Sequence, residues 1–193
     1  MVSWLRAVGQ EPLYYNALNT GRPAGNIDLT RPPKNGDEKF VSRYIDVPNS
    51  PQFPFGYGLS YSNYQYGQPR LSKEQLSAGA LNDELRAGGR ASNAAVEVSA
   101  DVTNTGTRAG EETVQLYVRL QGTSVALPVR ALSGFQRVTL TPGETKKVTF
   151  TVGPDAFAFW NDQNKFAVEP ARVTIWVSPD SSSGSEATLQ IVK

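Results

Sequence analysis

Period-two alternation of apolar and polar residues constrains this chain more than any other feature. Val96, Val98, Ala100 and Val102 fall on one side of an extended segment, and Glu97, Ser99 and Asp101 fall on the other. Asn104-Thr105-Gly106 then closes the run with turn formers, the signature of one half-buried strand. The pattern recurs at Val114, Leu116 and Val118, at Val148, Phe150 and Val152, at Val173, Ile175 and Val177, and at Leu189 and Ile191. A further strand is expected over residues 131–140. Turn chemistry separates the runs at Thr141-Pro142-Gly143-Glu144, Asn161-Asp162-Gln163-Asn164 and Pro179-Asp180. About seven short alternating strands across roughly 130 residues describe an all-β, immunoglobulin-like β-sandwich. One helical turn is expected near residues 155–159, capped by Asp155.

The sandwich reading begins at Tyr64. A first strand is expected over residues 64–71, followed by a polar, Gly-containing connection over 72–92 with no core role. Residues 1–63 show neither helical nor strand periodicity over any long window. Asn19-Thr20-Gly21-Arg22-Pro23 and Arg31-Pro32-Pro33-Lys34-Asn35-Gly36-Asp37 are dense in turn formers and in prolines that break hydrogen-bond ladders. Phe53, Phe55, Tyr57 and Tyr61 stand among Gly and Pro residues, so the rings belong to an irregular strip. Large exposed apolar patches are rare on soluble monomers, so these rings need cover from the sandwich, from another domain, or from both.

Composition narrows the chemistry. The net charge is +1 with cations and anions interspersed, so there is no basic field for nucleic acid or anionic lipid. No apolar run reaches the ~20 residues a membrane helix needs. The chain has no Cys, which removes disulfides and thiolate chemistry and leaves the redox compartment open. It also has no His, so there is no Ser-His or Cys-His nucleophile and no His-ligated metal. No cofactor or metal is expected. The opening Met1-Val2-Ser3-Trp4-Leu5-Arg6 lacks the plan of a secretory leader and reads as a truncation.

Several collinear motifs resemble one family. Gly110-Glu111-Glu112-Thr113-Val114-Gln115-Leu116-Tyr117-Val118 resembles the strand that opens the fibronectin type III-like domain of family 3 glycoside hydrolases. Pro128-Val129-Arg130-Ala131-Leu132-Ser133-Gly134-Phe135, Leu140-Thr141-Pro142-Gly143-Glu144-Thr145, Phe159-Trp160-Asn161 and Val168-Glu169-Pro170 resemble later motifs of that domain. Val8-Gly9-Gln10-Glu11-Pro12-Leu13-Tyr14-Tyr15-Asn16 resembles the end of the family's second, α/β domain, and Phe53-Pro54-Phe55-Gly56-Tyr57-Gly58-Leu59-Ser60-Tyr61 the crossing into the third. Ala171 departs from the family, where glycine is common after Glu169-Pro170. The resemblance therefore implies residues 1–63 as the tail of an α/β domain with its linker, and residues 64–193 as a fibronectin type III-like sandwich.

The resemblance implies a retaining β-glucosidase as parent, with an aspartate nucleophile in a barrel and an acid/base in the second domain. Retention needs two carboxyl groups ~5 Å apart. The nucleophile's motif does not occur in this chain, and the part that carries the acid/base lies upstream of Met1, so no catalytic residue is assigned. The adjacent acids Asp37-Glu38, Asp83-Glu84 and Glu111-Glu112 read as solvated groups of ordinary pKa. Tyr117 and Trp176 alternate away from the core side on strands expected to be neighbours. Their pair suggests docking onto the catalytic domains, then a partly exposed cross-strand contact, then stacking on a glucan. Phe53, Phe55, Tyr57 and Tyr61 read as interdomain filler. The expected function is a non-catalytic accessory module that supports the catalytic domains and helps form a homodimer. The alternatives are a carbohydrate-binding module for β-glucosides or glucans, and one chain of a split but active β-glucosidase.

Overall fold

Residues 3–18, 22, 31–44, 47–88 and 94–193 are described in a computed structural model of the chain. The alternating runs form two sheets. In the first, β1 (Tyr64–Tyr66) and β2 (Arg70–Leu71) both pair with one edge of β4 (Val96–Asn104), and β7 (Thr145–Val152) pairs with its other edge. The second sheet runs β3 (Gln75–Ser77), β11 (Ser185–Val192), β10 (Ala171–Ser178), β5 (Gly110–Gln121) and β6 (Ala131–Leu140). Its pairings are antiparallel except β3 with β11. A separate two-stranded ribbon joins β8 (Phe159–Trp160) to β9 (Phe166–Ala167).

Period two places the core between the sheets. Val96, Val98, Ala100 and Val102 of β4 pack in one cluster with Val148 and Phe150 of β7, Leu116 of β5, Ile175 of β10 and Leu189 of β11. This is the sandwich the alternation predicts, because one face of each strand must leave water. Asn104 is fully buried where β4 ends, with its polar atoms satisfied. Its Nδ2 donates to the carbonyls of Arg108 (2.8 Å) and Leu140 (3.0 Å), and its Oδ1 accepts from Ser62 Oγ (2.6 Å) and the Gly106 amide (2.9 Å). The Asn104-Thr105-Gly106 turn is thus stapled to β6 and to the chain entering β1.

The structure departs from the sequence reading in three places. The strand expected over 64–71 is two strands broken before Pro69, which cannot donate to a ladder. Besides the short helix α1 (Gly36–Lys39) in the N-terminal part, the structure has β3 and the helix α2 (Ala78–Arg86) within the expected connection over 72–92, which does reach the core: Leu76, Ala78 and Leu81 are buried there. Ser77 Oγ caps α2 at the Ala80 amide, while Asn82 fastens it to Val168 through both amide groups. Residues 89–92 of that connection lie outside the described residues, as does most of the expected Asn19–Pro23 turn. Finally, the helical turn is a 3₁₀ segment, Pro154–Ala156, with Gly153 at its N-cap and no side-chain cap; Asp155 is in its first turn. Pro154 at the start supplies the preset φ that initiates it.

Candidate interface on the five-stranded sheet

Tyr117 of β5 and Trp176 of β10 are direct cross-strand partners on the face opposite the core. That face is covered. Tyr117 is fully buried and Trp176 only 8% exposed, so the partly exposed cross-strand contact, the second of the three readings of this pair, is not what they form. Gln115, Thr174 and Ser178, all polar and all on the same face, are buried as well.

The cover comes from this chain's own N-terminal part. The Tyr15 ring meets Tyr117 edge-on at 6.0 Å and stacks on Phe55 at 4.3 Å and 13°. Its hydroxyl accepts from the Leu132 amide (3.4 Å). The Val129 amide donates to the Ala17 carbonyl (3.0 Å), and Leu18 bridges Pro128. On the other side of the face, the Ser181 amide donates to the Phe55 carbonyl (2.9 Å). Gln115 Nε2 donates to the carbonyls of Gly56 (3.1 Å) and Pro179, and Gln115 Oε1 accepts from Tyr117 Oη (2.6 Å). Gly56 has φ +82°, and a Cβ there would collide with the Gln115 carboxamide, so only glycine fits. We refer to these N-terminal residues as the strap.

Arg130 completes the seal. Its guanidinium carbon is 4.2 Å from the Trp176 ring centroid and 5.9 Å from that of Tyr117, and Nη1 donates to the Ser183 carbonyl (2.9 Å). Burial lowers the pKa of Arg130, opposed by the nearby Asp180. Burial likewise pushes the Tyr117 hydroxyl well above its usual range. The guanidinium forms a cationic lid on the aromatic pair, a geometry worth up to ~2 kcal/mol when desolvated.

The strap's other rings face outward. Phe53 and Tyr57 stack on each other at 5.1 Å, next to Trp4, which bridges Phe53. Trp4, Leu59 and Tyr61 are exposed at 74%, 94% and 94%, an arrangement that leaves a broad apolar surface beside the sealed sheet. Of the four aromatics predicted to need cover, Phe55 is tucked against the sandwich, while Phe53, Tyr57 and Tyr61 remain exposed. The sequence reading missed Tyr15, Gln115 and Arg130. Their only signal lies in motifs already noted, Tyr14-Tyr15-Asn16, Gly110 to Val118 and Pro128-Val129-Arg130, whose partners are distant in sequence, more than a hundred residues away for Tyr15.

Five of the six adjacent acids, Glu38, Asp83, Glu84, Glu111 and Glu112, are engaged by a partner, and the pKa values of Glu38 and Glu112 are shifted. Arg31 and the Lys34 amide hold Glu38, so its carboxyl lies near 2. Burial pushes Glu112 up, while Tyr66 Oη donates to it (2.6 Å) and opposes that shift. Glu111 pairs with Arg137 and Asp83 with Arg86. Glu84, in α2, is buried and accepts from the Ala94 amide (3.0 Å). Among the described residues no three His, Cys, Asp or Glu side chains converge as a metal site.

Residues 112–181 match the family model described as the fibronectin type III-like domain. The chain is 36% identical over 191 residues to the periplasmic β-glucosidase of Salmonella typhimurium, and 37% identical over 190 residues to a β-xylosidase of Formosa agariphila. It covers 22% of each, spanning about a fifth of these relatives' length. The solved β-glucosidase of Listeria innocua in complex with glucose aligns with 99% of this chain and 24% of its own, at 32% identity and a TM-score of 0.77. That of Erythrobacter marinus aligns at 34% identity with a TM-score of 0.76, over 99% of this chain and 21% of its own.

Proposed function

Because this chain belongs to the family 3 glycoside hydrolases of the β-glucosidase type, as their C-terminal region with its fibronectin type III-like domain, we propose that it is a non-catalytic accessory module fastened to catalytic domains. In this reading residues 1–63 are the tail of the preceding α/β domain and its linker, and residues 64–193 the module proper. The parent acts on β-glucosides or β-xylosides, the substrates in its relatives' names.

One observation carries the reading. The strap uses Tyr15 and Phe55 to close the Tyr117–Trp176 face while turning Trp4, Phe53, Tyr57 and Leu59 outward. A segment with one apolar side spent on the sandwich and another unspent is built to join two bodies. Burial of Tyr117 and Trp176 beneath protein favours docking over sugar stacking at that pair. The acids support the non-catalytic part, since Glu38, Glu84, Glu111 and Glu112 are each spent on a local partner and none is offered to a glycosidic bond.

The test is a graft. Deleting the matching region of the Salmonella enzyme should lower its thermal midpoint or abolish expression, and this chain grafted in its place should restore both stability and hydrolysis of an aryl β-glucoside. The chain alone should release no product. Hydrolysis by the isolated chain, or a graft no more stable than the deletion, refutes the proposal.

A further inference from the structure

The β8–β9 ribbon points to a second site. Phe159 on its inner face is buried, while Trp160 and Phe166 are cross-strand partners on the outer face, 67% and 46% exposed. Their ring centroids are 5.7 Å apart at 49°, a shallow angled platform rather than a buried pair. An apolar pair left in water at this exposure needs a reason beyond holding two short strands together.

Hydrogen bonds fix the turn that joins the two strands of the platform. Asn161 Oδ1 accepts from the amides of Gln163 and Lys165, both at 3.0 Å, and the Asn161 amide donates to the Lys165 carbonyl (3.0 Å). Asn164 takes the left-handed conformation, φ 55°, that closes the turn. Behind it, the Ser124 amide and hydroxyl both donate to the Glu169 carboxylate at 2.9 Å, and the Asp162 amide donates to Ser124 Oγ (3.4 Å). The rings therefore need little ordering on binding.

Size and surroundings decide the occupant. A Trp and a Phe bury ~150–250 Å² each when fully covered, well short of the ~1,200 Å² that specific protein interfaces bury. The Trp160–Phe166 platform is flanked by the exposed polar side chains of Asp162, Gln163 and Asn164. An apolar face with a hydrogen-bonding rim complements a pyranose ring, whose axial C–H face is apolar and whose edge carries hydroxyls.

We propose that Trp160 and Phe166 form a carbohydrate-stacking platform for the β-linked glucan or xylan on which the parent acts. The site is separate from the Tyr117–Trp176 face, and its ligand class rests on the proposed glycoside hydrolase reading. Affinity electrophoresis of the full 193-residue chain through gels holding laminarin or soluble xylan, with dextran as the α-linked control, tests it. The wild-type chain should be retarded by a β-linked polymer and not by dextran. Trp160→Ala should weaken retention about five- to tenfold, the order expected for losing one aromatic stack. Phe166→Leu should weaken it less, and Tyr61→Ala, which removes an aromatic 94% exposed but off the ribbon, should leave it unchanged. Circular dichroism of each variant shows that the fold survives. Absence of retardation in the wild type, or full retention in both Trp160→Ala and Phe166→Leu, overturns the platform. Either result leaves the graft experiment untouched, so the two proposals fail separately.

Discussion

At the scale of single residues, Glu112 shows how position rather than residue type sets behaviour. Its neighbour Glu111 pairs with Arg137 at the surface, a contact worth at most ~1 kcal/mol. Glu112 turns the other way, toward Tyr66, where burial disfavours its charge more than the hydroxyl favours it. Its folded pKa therefore lies above the ordinary value of 4.5. Protonation then favours the folded state, so this contribution is fully present below pH ~4.5 and is lost as pH rises through the folded value. Glu112→Gln keeps an acceptor for Tyr66 and never ionises. Its thermal midpoint should match the wild type near pH 4 and exceed it increasingly toward pH 7, measured by scanning calorimetry across that range. A constant offset at every pH would show that the carboxyl does not titrate in this environment. Arg130 illustrates the complementary case, a charge whose loss of water is offset by two aromatic faces and one carbonyl.

Among the elements, α2 is the piece whose role departs most from its sequence. Its nine residues include Gly79 and alternate weakly, yet Leu81 is fully buried against the sandwich. Three-residue spacing from Ala78 to Leu81 over a single turn is too short a sample for periodicity to register. The long strands β4, β5, β7 and β10 were legible for the opposite reason: each repeats its apolar face three or four times. Leu81→Ala should cost ~2–5 kcal/mol by cavity formation, read from urea unfolding with an unchanged m-value. A cost under about 1 kcal/mol would place α2 outside the cooperative core. The second face of β5 and β10 was legible only in part. Tyr117 and Trp176 stood out as aromatics facing away from the core, but the polar Gln115, Thr174 and Ser178 on that same face carry no sequence mark of the burial they have. Nothing local marks a strand buried on both faces when its cover arrives from a segment some sixty to a hundred residues upstream.

For the whole molecule, the question is whether the strap and sandwich unfold together. The parts meet through Tyr15 and Phe55, 4.3 Å apart and nearly parallel, one reaching Tyr117 and the other anchored by Ser181. If both rings sit in a single packed unit, removing either one weakens what the other contributes. Tyr15→Ala and Phe55→Ala should then be non-additive, with a coupling of about 0.5–1.5 kcal/mol, the range of aromatic pairs. Measured in a double-mutant cycle by urea unfolding, that coupling should accompany one transition reported alike by tryptophan fluorescence, which includes Trp4 of the strap and Trp176 of the sheet, and by far-UV circular dichroism. Strictly additive costs, or an early fluorescence transition separate from loss of strand signal, would mean that the strap lifts off while the sandwich stays folded. The Tyr117–Trp176 face would then open to solvent and stand free for a sugar ring. A coupled strap leaves Trp4, Phe53, Tyr57 and Leu59 exposed as the surface proposed to meet the catalytic domains, and the Trp160–Phe166 ribbon exposed as the proposed glycan platform.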